Sequence, residues 1–391
     1  MKSKYFQVQA ALVFIGMVLV FASCGQDQAR GIFATIEETR ELDLDHAMPD
    51  NAKILSLNEY KEGDDHYLFA AVGNQLLFRP FNDEDNWEEM PLPARASFAL
   101  DSAVSGSAGN YFITGIFTDS SGTSFVRYAA LPEAVGSDFN RDSWESPDSG
   151  ITGNPYAVFR SGTSAFVSSR ITSGDDPGNY LRQVASNGNV TPVSFETGSI
   201  LPEEISTLVQ AYDYNGTVYL LSQTDLYTAA TGDTDFTRNA TLDSSGSGGF
   251  TDIIVTDDGI YITTDKGFIR YSGDDGSRWD DSSAYTRSDS EVPLLSILQI
   301  TPENGDKTIL AGTEGYGFAV FDGEKLSRPT GSTQDYYHLN FGGSELSTTT
   351  ITTLFMPDGI LSGKEAVYAG SAGKGLWRAI IENTDFVWGR E

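Results

Sequence analysis

AGTEGYGFAVF at 311–321 and AGSAGKGLWRA at 369–379 align without a gap, 58 residues apart. Each follows a β-type run, KTIL at 307–310 and EAVY at 365–368. The stretch reads as strand, glycine hairpin, strand, because glycine alone adopts at little cost the positive φ that a tight hairpin needs. That the unit occurs twice matters more than either copy, since a repeat at a fixed interval marks an array of like pieces.

Weaker copies lie upstream at 67–81, 111–129, 165–184, 218–229 and 259–271, each reading strand, polar turn, strand. A further β-type run precedes every copy: ILSLNEY, SFALDSAV, PYAVFR, ISTLVQAYDY, FTDIIVTD, LLSILQI and ITTLFM. Most copies are followed by a short polar-aromatic strand such as WEEMPL, RNATL or FVWGR. Four strands recurring about every 45 to 50 residues predict an all-β chain folded as a seven-bladed β-propeller over 54–391. Six or eight blades would follow if one weak unit, 151–198 above all, is misread. A β-sandwich with a second β domain, or a solenoid, is the competing architecture. GIFATIEET at 31–39 is the candidate for a strand that closes the ring against the last blade.

Composition agrees with many short strands: 40 glycines, 12% aromatics and no sustained 3.6-residue apolar period in 391 residues. The net charge of −30, or −32 once Lys2 and Lys4 are lost, would be repelled by phosphate backbones and anionic lipid. No nucleic-acid partner is expected. Acidic turns such as GDDHY and NDEDNW read as solvation.

Residues 1–23 form a basic start, a 13-residue apolar run from Ala10 to Ala22 and a small-residue end, the layout of an export signal. The run is short for a membrane span, which needs about 20 residues. Cys24, the single cysteine, excludes an intrachain disulfide and a thiolate metal cluster. The stretch Phe21-Ala22-Ser23-Cys24 resembles the lipobox of bacterial lipoproteins, with Phe21 in place of the usual leucine. The resemblance implies lipidation of Cys24, an anchor to which each buried methylene adds about 0.8 kcal/mol. Residues 24–53 are then a lipidated linker. Gly25 supplies no inner-membrane retention acid, which by analogy with enteric bacteria favours the outer membrane.

YSGDDGSRW at 271–279 contains Ser272, Asp274, Gly276 and Trp279 in the pattern S-x-D-x-G-x-x-W, between the third and fourth strands of the fifth unit. It resembles the Asp box of sialidase-type propellers. The resemblance implies a structural turn, with Asp274 accepting backbone N–H groups, Gly276 at positive φ and Trp279 over an apolar edge. Degenerate relatives at 83–87, 137–144, 234–239 and 384–388 share its acidic turn and aromatic residue. A calcium loop would need a terminal glutamate that is missing here.

Catalytic patterns are hard to find. The chain has one intact Asp box, no Arg-Ile-Pro, and arginines at 160, 170, 270 and 378 with nothing to mark a carboxylate-binding triad. G-x-S-x-G, H-E-x-x-H and the phosphate-binding P-loop are also missing. The three histidines, His46, His66 and His338, fall in polar or acidic turn contexts. Gly312 to Gly317 is flanked by strands on both sides, which suits a hairpin and not a dinucleotide fold. The stretch AGTEGYGFAVFDGE also resembles the short propeller repeat of two-component regulator sensor regions. No kinase segment follows Glu391, so that resemblance implies a sensor subunit.

A long link at 328–350 carries Tyr336, Tyr337, His338 and Phe341 and is the candidate binding loop, the alternative being aromatics folded back onto the ring. The reading is a lipid-anchored cell-envelope propeller acting as a non-catalytic protein-binding or assembly scaffold, with no cofactor and no metal. Its partner is an envelope protein or a glycan. The alternatives are a glycan-binding or sialidase-like propeller and a periplasmic sensor subunit. An enzyme should gather charged residues at one channel mouth, whereas a scaffold should show an exposed apolar patch.

Overall fold

The computed structural model describes residues 48–49, 51–82, 85–148, 151–172, 178–196, 207–239, 242, 246–273, 276–301, 307–328, 345–358, 361, 365–382 and 385–391. Seven small antiparallel sheets stand in a ring, forming a seven-bladed β-propeller. The seven predicted β-type runs become the innermost strands: Ile54–Glu62, Ala96–Ser105, Asn154–Ser161, Leu208–Tyr214, Phe250–Thr256, Leu294–Ile300 and Ile351–Phe355. Each touches the inner strand of the blade before and the blade after, and the first touches the last. The ring is therefore closed.

The predicted hairpins become the second and third strands. In the last blade Ala366–Ser371 pairs with Leu376–Glu382, and in the sixth Thr308–Thr313 pairs with Phe318–Phe321. Gly315 and Gly317 turn that sixth-blade hairpin at φ +78° and +72°. Second strands are buried on both faces, as in Ala366–Ser371, because each blade is covered by two neighbours. That is why they read as near-continuous apolar runs.

One hydrophobic cluster fills each gap between blades. Phe318 and Leu310 of blade 6 meet Ile351 and Trp388 of blade 7, and Ile54 and Leu68 of blade 1 meet Leu376 and Tyr368 of blade 7. Like clusters lie between blades 1 and 2, 2 and 3, 3 and 4, 4 and 5, and 5 and 6. Burying a side chain of this size contributes about 1.5–3 kcal/mol, so the interfaces, more than any blade alone, hold the ring.

The unit at 151–198 is a complete four-stranded blade ending in Val190–Pro192. Its chain then crosses to blade 4, where Ser194–Glu196 pairs in parallel with Asp235–Arg238 as a fifth strand. One expected turn is a strand instead, since 234–239 contains Asp235–Arg238, while the predicted strand FVWGR at 386–390 forms within the outer strand Asp385–Arg390, which overlaps the acidic relative at 384–388. Their aromatic residues alternate into the blade gaps, with Phe236 and Trp388 buried, so period-2 alternation outweighed the acidic start.

Blade 7 draws all its strands from 351–390 and blade 1 draws its own from 54–89. The proposed closing strand at 31–39 lies outside the described residues. Among those described, Lys53 forms an antiparallel bridge with Ala372 and the Gly375 N–H donates to the Ala52 carbonyl at 3.0 Å, and side chains add to this closure. Glu391 forms ion pairs with Arg79 of blade 1 at 3.0 Å and with Arg378 of blade 7 at 2.9 Å, with all three side chains buried. Trp87 Nε1 donates to the same carboxylate at 3.1 Å, and Arg79 donates to the Tyr368 hydroxyl at 3.3 Å.

Candidate functional site

The axis of the ring is a channel walled by the free edges of the seven inner strands. An unpaired strand edge leaves N–H and C=O groups that need partners. The chain solves this with a device repeated in every blade. Each inner strand slips register near its start, from Ile54/Ser56 in blade 1 to Ile351/Thr353 in blade 7, leaving one extra residue in a β-bulge, and that of blade 2 slips twice, at Ser97 and at Leu100. Leu55, Tyr156, Val209, Thr251, Leu295 and Thr352, the extra residues of six blades, line a cavity of about 440 Å³ at the mouth where the inner strands begin, here the proximal mouth. The seventh, Leu100, is 37% exposed, and Phe98 beside it is 47% exposed.

The residue after each bulge is polar in six blades, and in four of them it reaches sideways. Ser56 Oγ accepts the N–H of Ser102 at 3.2 Å, Asp101 that of Val158 at 2.9 Å, and Asp252 that of Ile297 at 3.0 Å. In each case the donor belongs to the next blade. Gln210 donates to the Asp252 carboxylate at 3.2 Å. The extra-residue hydroxyls act likewise: Thr251 donates to the carbonyl of Leu294 at 2.6 Å and Thr352 to that of Ile54 at 3.2 Å.

Burial pushes the Asp101 carboxyl up to about 7, against the pull of the Val158 and Ser102 N–H groups. Burial also pushes Asp252 up to about 6, against the Ile253 and Ile297 N–H groups and the Gln210 side chain. Both side chains keep part of their surface open to channel water. Their oxygens are committed to backbone donors, a structural use of a carboxylate.

At the other end, the distal mouth, a cavity of about 730 Å³ is lined by charged groups that include Glu59, Arg160, Asp358 and Glu365. His66 Nε2 and Glu59 Oε1 are 2.6 Å apart, and the Asp358 N–H donates to Glu59 Oε2 at 2.9 Å. Lys61 meets the Asp358 carbonyl and, at 3.4 Å, its carboxylate. The contacts of Glu59 and Lys61 with Asp358 join blade 1 to the loop after the inner strand of blade 7, and the lining as a whole is acidic, with Asp213 and Glu365 added to Glu59 and Asp358 against Arg160. His66 is on the strand Asp65–Val72, with its ring 4.2 Å from that of Phe81, and not in a turn as its polar flanks suggested.

The residues of the Asp-box-like turn stand at the rim, away from the axis. Ser272 ends the third strand of blade 5 and is buried, Gly276 has φ +87°, and Trp279 packs on the cluster between blades 4 and 5. Asn239 of blade 4 donates to the Gly276 carbonyl at 3.0 Å, so the turn is tied to the neighbouring blade. Asp274 lies outside the described residues, as do Cys24 and the loop residues Tyr336, Tyr337, His338 and Phe341. The four arginines considered for a triad are dispersed: Arg378 is in the Glu391 cluster, Arg270 pairs with Asp281 at 2.6 Å, Arg160 lines the channel and Arg170 is exposed on blade 3.

The belt of bulges and side-chain bridges was missed from the sequence. Its trace is a polar residue after an apolar pair near the start of four of the seven inner runs, as in Ile54-Leu55-Ser56 and Leu294-Leu295-Ser296.

No protein-family model and no curated protein matches the chain. Solved structures do. YCF48 bound to D1 peptide is 15% identical, with a TM-score of 0.54 over 85% of this chain and 93% of that one. The extracellular domain of a putative hybrid two-component system from B. thetaiotaomicron is 11% identical, with a TM-score of 0.54 over 84% of this chain. The GH74 enzyme of Niastella koreensis is 14% identical, with a TM-score of 0.53 over 86% of this chain. The chain spans only 38% and 44% of the length of the last two. At such identities the likeness is one of fold, and one fold carries many functions.

Proposed function

We propose that this protein is a lipid-anchored, non-catalytic propeller of the bacterial cell envelope that binds another protein at the proximal mouth of its channel. The observation that carries the reading is the pair Phe98 and Leu100, exposed at 47% and 37% on the inner strand of blade 2. Large apolar side chains left in water beside a concave mouth favour a protein partner. Two further points support it: the axial carboxylates Asp101 and Asp252 are taken up by backbone N–H groups, and a fold-level neighbour, YCF48, has been captured with a peptide.

In this reading residues 1–23 direct export, Cys24 carries the lipid, residues 24–53 tether the ring, and the anchor sits in the outer membrane. The experiment is a crosslinking pull-down from intact cells of wild type and Cys24→Ser, run beside hydrolysis of a glycan panel by the purified ring. The reading expects an envelope protein recovered with wild type above the level of the variant, and no hydrolysis. Turnover of any glycan would overturn the non-enzyme part, and equal recovery with both forms would overturn the anchor.

A further inference from the structure

Blade 2 has three strands where the other blades have at least four. At the place of its fourth strand the chain makes one bridge, in which Tyr128 N–H donates to Glu145 O at 3.1 Å and Glu145 N–H to Tyr128 O at 2.9 Å. Continued antiparallel, that pairing would set Pro147 opposite Val126. Proline has no N–H to give, and the next residue, Asp148, donates instead to Gly188 of blade 3 at 2.9 Å. The edge therefore opens at Val126.

Backbone groups along an antiparallel edge point outward at every second residue. Since those of Tyr128 point outward, so do those of Val126 and Ser124. The Val126 carbonyl is taken by the Arg127 guanidinium at 2.7 Å, and the Ser124 N–H makes only a long contact, 3.4 Å, to Asn154 Oδ1. The Val126 N–H finds no acceptor among the described residues. Beside it is a cleft of about 230 Å³ whose walls include Phe125, Arg127, Pro147, Asp148, Ile151 and Pro155.

Arg127 indicates the chemistry of the occupant. It is half-buried, its guanidinium lies 4.9 Å from the Phe125 ring centre, and no carboxylate among the described residues forms an ion pair with it, Asp148 on the cleft wall included. Burial lowers its pKa, and the like charge of Arg95 adds to that shift. In a chain of net charge −30, an unpaired arginine beside an open strand edge is locally complementary to an acid.

We infer that the outer edge of blade 2 binds an extended acidic segment of a partner protein as an added fourth strand, pairing with Val126 and Ser124 and placing one carboxylate on Arg127. Strand addition takes its affinity from the main chain and its selectivity from alternate side chains. The incoming N–H replaces the Arg127 guanidinium on the Val126 carbonyl, which frees that guanidinium for the carboxylate. This site is separate from the proximal mouth, so failure of either proposal leaves the other standing.

The test uses the mature full-length chain and a labelled peptide, acetyl-VTVEVTV-amide, with two controls: the VTVKVTV analogue and the first peptide N-methylated at alternate residues. Saturable binding of the acidic peptide is expected, at least tenfold weaker for both controls and for Arg127→Ala, with slowed hydrogen exchange of the Val126 amide. Arg95→Ala should bind as wild type, and unchanged urea midpoints show that both variants fold. Several results would overturn the inference. One is an absence of binding, or binding indifferent to N-methylation or to Arg127→Ala. Another is tighter binding by Arg127→Ala, which would make the arginine a guard of the edge. A third is a Val126 amide already protected in the free chain and released when residues 25–47 are deleted, which would assign the cleft to the chain itself.

Discussion

Asp101 and Asp252 occupy the same place in their blades, one residue after the bulge, and each holds an N–H of the following blade. Burial raises them to about 7 and about 6, above the value near 3.9 that an aspartate has in an unfolded chain. A raised folded-state value means that the unfolded chain gives up the proton first. The contribution to stability is therefore full below about pH 4 and is lost as pH rises through 6 and 7. Replacing both residues by asparagine should remove this dependence. Urea unfolding at pH 4 and pH 8 is expected to show the double variant gaining on wild type by roughly 1–2 kcal/mol at the higher pH, a figure lowered for the channel water that shares their surface. A constant difference at the two pH values would refute the assignment. Neither aspartate was legible as a bridge in a chain with 55 acidic residues, because what distinguishes them is a register slip that sequence does not display.

At the scale of strands and hairpins much more could be read, and the structure explains why. The Ala-Gly of the two aligned stretches is a contact between blades. A Cβ on Gly312 would stand 2.8 Å from the Ile351 carbonyl oxygen of blade 7, and one on Gly370 would stand 2.8 Å from Ile54 Cγ2 of blade 1. Small residues recur there because the next blade's inner strand leans on them. Gly370→Ala should lower stability by about 1–3 kcal/mol through overpacking, whereas Gly73→Ala, with open space around it but φ +58°, should cost only about 1 kcal/mol from its backbone. Thermal unfolding of the two variants separates these effects. The outer strands were harder to read, since several are two or three residues long and the fourth strand of blade 2 shrinks to the single bridge at Glu145. The acidic start at 234–239 resembled a turn, and the buried face of Phe236 decided otherwise, whereas FVWGR was legible as the last strand.

For the whole molecule, closure is the property that matters. Seven interfaces are filled by apolar clusters of similar make-up, and the gap between blades 7 and 1 also contains the buried Arg79, Glu391 and Arg378 cluster. Arg79 and Glu391 are 312 positions apart, so no local pattern could have paired them. Glu391→Gln leaves two buried guanidinium groups without their counter-charge and should cost about 3–5 kcal/mol. Arg95→Ala, which removes the exposed partner of Asp119 and leaves that carboxylate on its own turn, should cost under about 1 kcal/mol, and a urea titration of the two variants checks the contrast. Closure also makes the ring a rigid platform, on which the apolar pair at one mouth and the acidic lining of the other offer two different faces. The measurement that bears most directly on the scaffold account is photo-crosslinking in intact cells, with a benzophenone amino acid placed in turn at Phe98, at Leu100 and at Asp358 of the distal mouth. The account predicts a discrete protein adduct from Phe98 and Leu100 and none from Asp358; no adduct at the proximal mouth, or the same adducts from both mouths, would contradict it.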